Sequence, residues 1–341
     1  MTDKRLAPDY PAPVRQLLTY GDATDSIHNQ PQGWPNYLQL GLTEAHSPAL
    51  IQVLQSRSWE WELDEPEEEE YVAFWASIHA WRALGQLRAE AAIPELLRLI
   101  VLCTARSAIE ESDQIILSND WIRDWIGEEL PFVLGLIGPS ALPPLQELIT
   151  QQLQEFRNTT SPDIYGFTTA LDALQEIATG CRRFPNTKLG VPLPPADPAA
   201  TSEILELLHA WLQPYAEQDP EINAWFISTF LDIQKRLPTE PALLVDAPIL
   251  KVIEKAFADE CVDHQICGDW EDIQLELGLL TFEQLSAEKQ AQVKRQERRE
   301  RLFRKEWAAV QRKRTMKQAE KIGFGSSTQS PQKKKKNKKH R

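Results

Sequence analysis

LGLTEAHSPALIQVL (Leu40–Leu54), LGQLRAEAAIPELLRLI (Leu84–Ile100) and LGLIGPSALPPLQELI (Leu134–Ile149) are three versions of one pattern. In each, an amphipathic segment reaches a Leu-Gly pair, a short turn follows, and a second apolar-periodic segment restarts at a proline. Pro48, Pro94 and Pro143 lie 8, 10 and 9 residues after the leucine. Proline suits the first turn of a helix, where its missing N–H would have no partner in any case. The leucines are 44 and 50 residues apart, near the period at which pairs of helices stack on one another. The spacing predicts antiparallel helix pairs, with each Leu-Gly pair closing the first helix.

Working outward, the same helical period continues. Phe167, Leu171, Leu174 and Ile177 form a stripe over 164–179, closed by Gly180 at the C-cap. RRFPNTKLGVPLPPADPAA (Arg182–Ala200) is a proline-rich loop, expected as an excursion on one face. Ser202 is read as the cap of the next helix, with Ile204, Leu205, Leu208 and Trp211 inward. Further helices are expected over 222–237, 249–258 and 270–280. No hairpin turn between alternating strands is found. The expected fold is all-α, an α-solenoid of antiparallel helix pairs. Its expected divisions are a flexible N-terminus (1–10), the solenoid (11–280), a basic helix (281–322) and a disordered lysine-rich tail (323–341).

Composition narrows the class. Only 14 of 341 residues are glycine, which disfavours sandwiches and dinucleotide folds built on glycine turns. Four cysteines are too few for a disulfide scaffold and fit a reducing compartment. MTDKRLAPDYPAP lacks the apolar stretch of a secretory signal, and the most apolar run, Leu99–Ala105, is too short to span a bilayer. A cytoplasmic protein with no membrane partner is expected. The net charge of −13 is unevenly placed: residues 289–341 hold 20 basic and 4 acidic residues, +16, which leaves −29 on 1–288. An acidic body is joined to a basic tail.

These repeats resemble HEAT and HEAT-like repeat proteins, a class that includes the phycobilin-lyase repeats of cyanobacteria, over about 40–260. The runs PVRQLLTYGD (from Pro13), NYLQLGLTEAHSPALIQVL (from Asn36), WASIHAWRALGQLRAEAAIPELL (from Trp75) and CGDWEDIQLELGLL (from Cys267) are similar to a group of uncharacterised bacterial HEAT-like proteins. Some proteins of this kind end in a SEC-C module, a cysteine-rich metal-binding tail. Here no cysteine follows Cys267, so that metal is not carried over.

Several residues carry candidate chemistry. Trp59, Trp61, Trp75 and Trp81 bracket the acidic run DEPEEEEY (Asp64–Tyr71). They read either as an interface for a basic partner or as core aromatics beside a solvated loop. His79, beside Trp81 and Arg82, reads as a general base or as a hydrogen-bond link between repeats. Neither a nucleophile triad nor a phosphate-cradling glycine loop is present. Cys261, His264 and Cys267 have zinc-compatible spacing, but a structural site needs four ligands and no second half-site follows. Cys103 reads as buried packing, and Cys181 lies at a helix end, where the dipole disfavours thiolate. In GDWEDIQLELG (from Gly268), Asp269 and Asp272 flank Trp270 near a helix start. They are either dipole partners or, with Trp59, Trp61 and Trp81, contacts for a protein partner.

The tail reads as a helix capped by Ser286, rich in helix formers, with apolar residues too sparse for a heptad seam and one dockable patch at Phe303 and Trp307. Arg298, Arg299, Arg301 and Arg304, with Lys333, Lys334, Lys335 and Lys336, are candidates for binding RNA or for docking on the acidic body. The expected function is a non-enzymatic protein-interaction scaffold with no cofactor and no metal. One alternative is an RNA- or ribosome-associated factor acting through 289–341. Another, implied only by the resemblance, is a phycobilin-lyase-like enzyme or chaperone.

Overall fold

The computed structural model of the chain describes residues 10–23, 34–56, 74–104, 120–159, 163–182, 191–239 and 247–323. Regular structure in these residues is helical throughout, with no strand among them. The chain divides into two compact units, 1–279 and 280–341.

In the first unit the helices are α1 (Ala12–Arg15), α2 (Ser47–Gln55), α3 (Ala76–Leu87), α4 (Ile93–Thr104), α5 (Asp120–Ile137), α6 (Leu142–Phe156), α7 (Tyr165–Thr179), α8 (Pro198–Leu212), α9 (Pro220–Arg236), α10 (Pro248–Ala258), α11 (His264–Cys267) and α12 (Trp270–Glu276). Helices α3, α5, α7 and α9 pack one on the next, while α2, α4 and α6 form a second line against them, and α8 packs on α10. This order is compatible with stacked helix pairs. One apolar core runs from Tyr10 to Leu277. Helices of the first line are enclosed on nearly all sides: α3 is buried from Ala76 to Gln86 and α7 over most of Gly166–Thr179. Helices α6 and α10 bury one stripe each.

The prolines do what their spacing predicts: Pro48, Pro94 and Pro143 are each the second residue of α2, α4 and α6. The Leu-Gly pairs do not. Only Gly41 ends its element, a 3-10 turn over Tyr37–Leu40, in the left-handed region at φ 82°. Gly85 and Gly135 lie inside α3 and α5, which stop at Arg88 (φ 54°) and Gly138 (φ 97°). The reason is packing. A Cβ on Gly135 would lie 2.6 Å from Glu176 Cβ and 2.8 Å from Cys181 Sγ, so the missing side chain lets α5 approach the α7 end closely. Gly85 sits more loosely on α5, its virtual Cβ 3.2 Å from Leu136 Cδ1.

One further expectation is corrected. Helix α8 begins four residues before Ser202, with Pro198 in its first turn and the Asp197 side chain accepting from Ala199 N at 2.9 Å. Of the proline-rich loop, residues 183–190 lie outside the described residues; in 191–197, Pro192 O accepts from Arg88 Nη2 at 3.0 Å, and Val191 and Leu193 rest on the core. Gly180 does cap α7, at φ 60°.

In the second unit, α13 (Ala287–Gly323) follows a 3-10 turn at Phe282–Gln284, and Ser286 Oγ accepts from Lys289 N at 3.3 Å. No single helix among the described residues is long and apolar enough to cross a membrane. The pair 122–137 and 139–156 reaches that composition only across a 115° bend.

The two helix-interior glycines predict opposite outcomes. Gly135→Ala should destabilise the protein by about 1–3 kcal/mol or more through overpacking. Gly85→Ala should be near neutral, because a helix-propensity gain of up to about 1 kcal/mol offsets small shifts of Leu136 and Val133. Urea unfolding of the two variants beside the parent checks both.

Candidate functional site

A buried polar network is built on α3. His79, Arg82 and Gln86 follow one another at i, i+3 and i+7 and so share a face. All three are buried, with Arg82 1% exposed. The Arg82 guanidinium meets Glu129 of α5 in a two-pronged pair: Nε donates to Oε2 at 2.9 Å and Nη2 to Oε1 at 2.6 Å. Trp81 Nε1 donates to the same Oε2 at 2.7 Å. The rings of Trp34 and Trp125 lie 5.1 and 5.3 Å from the guanidinium carbon, so aromatic faces take part of the charge that water would otherwise solvate. Burial works against the arginine's charge, but Glu129 more than offsets it and raises its pKa.

The remaining members tie α3 to the N-terminal segment. Gln86 accepts from Tyr37 N at 2.9 Å and donates to Pro35 O at 2.8 Å. His79 Nε2 is 3.0 Å from Gly21 O, and its Nδ1 is 2.6 Å from Tyr37 Oη. A carbonyl only accepts, so the proton sits on Nε2, and Nδ1 accepts from the Tyr37 hydroxyl. This neutral tautomer fits the environment. Burial lowers the His79 pKa to about 4, and nearby Arg82 adds to that, against the opposing Gly21 carbonyl and Asp22. Tyr37 is pushed up, mainly by burial. With both nitrogens engaged and 3% exposure, His79 links two segments and has no access to a substrate.

The other predicted residues fall as follows. Of the two readings of Trp81, the core aromatic holds: it is fully buried, with its indole held by Glu129, which corrects its place among the partner contacts. Trp59, Trp61, the acidic run 64–71 and Lys333–Lys336 lie outside the described residues, as does the side chain of Cys103. Asp269 and Asp272 form a reciprocal cap on α12: Asp269 Oδ1 accepts from Asp272 N and Asp272 Oδ2 from Asp269 N, each at 3.0 Å. Trp270 is half-buried, 5.8 Å from the Phe257 ring. Cys261 Sγ turns to Asp259 O, while Cys267 Sγ turns to Asp263 O, and burial with Asp263 holds the Cys267 thiol up to about 12. No group of three or more His, Cys, Asp or Glu placed to share a metal ion occurs among the described residues. Cys181 is buried at φ 59°, and burial with Glu176 raises its thiol well above the ordinary value. It is an unreactive packing residue.

The second unit differs in kind. Arg298, Arg299, Arg301 and Arg304 are exposed along α13. So are Leu302, Phe303, Trp307 and Val310, at 50, 65, 54 and 43%. Phe303 and Trp307, one helical turn apart, hold their rings nearly parallel at 19° with centroids 6.3 Å apart. Only Tyr20 and Val101 are comparable exposed apolar residues in the rest of the described chain.

Sequence reasoning named His79, Trp81 and Arg82 but missed Glu129, Tyr37, Trp34 and Trp125. A signal existed: the separations Arg82–Glu129 and Tyr37–Gln86 are 47 and 49 residues, close to the repeat spacing. In an arrangement of stacked helix pairs, equivalent faces meet at such separations. No protein-family model, curated protein or solved structure matches the chain.

Two predictions follow from the buried network. Glu129→Leu should cost about 3–5 kcal/mol by leaving the Arg82 charge buried and unpaired, and adding Arg82→Met should restore much of that; a thermodynamic cycle by chemical denaturation measures the recovery. His79 is neutral when folded, with its pKa below the unfolded value of about 6.5. The unfolded chain therefore takes up the proton first as pH falls. Stability should be intact above about pH 6.5, drop by up to about 3 kcal/mol toward pH 4, and flatten below. Comparing the pH dependence of unfolding for the parent and His79→Gln isolates this contribution.

Proposed function

We propose that the protein is a non-enzymatic binding protein in which the helical body is a rigid mount and the segment 287–341 engages a polyanionic partner, with RNA the partner of choice. The observation that carries this reading is the placement of exposed apolar side chains. Four of the six large ones among the described residues stand on the basic helix α13. Helix α13 itself has 13 basic and 5 acidic residues, and the segment beyond it ends in KKKKNKKHR. Such an array releases counterions from a phosphate backbone on binding.

The body supports this division through what its polar groups already do. Tyr37 and His79, both buried and both altered in their acid–base behaviour, are bonded to each other, and Arg82 is paired with Glu129. Their perturbation accompanies internal links between elements. A protein partner held on the body surface has weaker support: Trp81 is in the core, and Asp269 and Asp272 cap a helix.

Binding of a labelled RNA to the full chain should fall about 100-fold or more between about 50 and about 200 mM salt if five or more phosphates are neutralised. Deletion of 289–341 should abolish it. Salt-insensitive binding, or equal binding by the truncated chain, would overturn the reading; fluorescence anisotropy across a salt series distinguishes these outcomes.

A further inference from the structure

We infer that Phe303 and Trp307 form a stacking site for unpaired bases, so that α13 binds single-stranded nucleic acid in preference to duplex. The inference rests on the polyanion reading above and adds a specificity to it.

Phe303, Trp307 and Val310 are spaced i, i+4, i+7 and share a face of the helix. That apolar face is only about two turns long, with Arg299 one turn before it and Arg314 one turn after it. A helix lying in a membrane interface needs an apolar face along most of its length, and a coiled-coil seam needs several heptads. Two turns meet neither requirement. The physical cost of this arrangement is also informative: two aromatic rings, each more than half exposed, are held among like-charged side chains with apolar surface in water.

Stacked bases relieve both features at once. A single strand offers flat π-faces to the rings and phosphates to Arg299 and Arg304, and stacking is tolerant of sequence because every base has such a face. In a duplex the same faces are covered by neighbouring bases, so only the phosphates remain available. The lysine-rich end 333–341, which has no apolar residue, fits the same ligand by charge alone. An apolar groove on a protein would take the rings but leaves that end without a role. Charge complementarity therefore favours the nucleic acid.

The test uses the full chain, a labelled single-stranded oligouridine of about 20 nucleotides and an RNA duplex of the same length. Trp307→Ala and Phe303→Ala should each weaken single-strand binding roughly 5- to 150-fold, the range for one lost base stack. The salt slope and the duplex affinity should stay unchanged, and Trp307→Phe should recover most of the loss. Arg299→Gln should instead reduce the salt slope for both probes. These side chains are exposed, so the helix content of each variant should match the parent by circular dichroism. If Trp307→Ala binds oligouridine as tightly as the parent, or loses duplex binding equally, the stacking site is wrong while the polyanion reading stands. If the parent binds neither probe, both readings fall together.

Discussion

A guanidinium removed from water is the constraint on which the N-terminal half of the body depends. Arg82 cannot be buried as a charge unless a carboxylate, aromatic faces and exclusion of solvent are supplied together. Glu129 supplies the first from α5, and Trp34 and Trp125 the second. Trp81, donating to the same carboxylate, keeps Glu129 in its two-pronged geometry. The neutral state of His79 follows mainly from the same loss of water, and the Arg82 charge adds to it. With it follows the hydrogen bond that holds Tyr37 and Gly21 against α3. One buried charge thereby aligns the N-terminal segment, α3 and α5.

Further along, backbone proximity takes over. Helix α5 reaches α7 through glycines eight residues apart: Gly135 against Glu176 and Cys181, and Gly127 against Tyr165, whose hydroxyl donates to Arg123 O. Arg123 in turn pairs with Asp163 at 2.9 Å and lies over the Tyr165 ring at 4.6 Å. Arg236 carries the contact on to α9, donating to Glu176 and Gln175 at 3.2 Å each. The body's polar side chains thus join one helix to the next. The basic helix α13 follows other rules: its Ala, Gln, Glu, Lys and Arg content favours a helix by propensity and by i, i+4 pairs, which leaves its few aromatic residues uncovered.

What could be read without coordinates was whatever depends on neighbours a few residues away. The period of apolar residues marked α7 within one residue, proline marked the starts of α2, α4 and α6, and Gly180 marked a left-handed stop. The Phe303–Trp307 patch was legible for the same reason, because i, i+4 neighbours meet on any helix. Asp269 and Asp272 were recognised as carboxylates at a helix start, but their reciprocal bonding was visible only in the folded chain. The Leu-Gly pairs misled because a glycine in sequence looks alike whether it ends a helix or lets another helix come close. Local pattern cannot separate these uses when the decisive atoms, such as Glu176 and Cys181 against Gly135, are some 40 residues away.

By itself, then, the sequence determined the helical class, the repeat spacing and the separation of a −29 body from a +16 tail, because periodicity and charge are properties of short stretches. Only the tertiary structure decided that Trp81 is interior and that Arg82 meets Glu129 rather than another of the body's many carboxylates. Those outcomes are set by which helix faces pack together and which groups lose water. That selection is made across 40 to 60 residues of chain, beyond the reach of any local pattern.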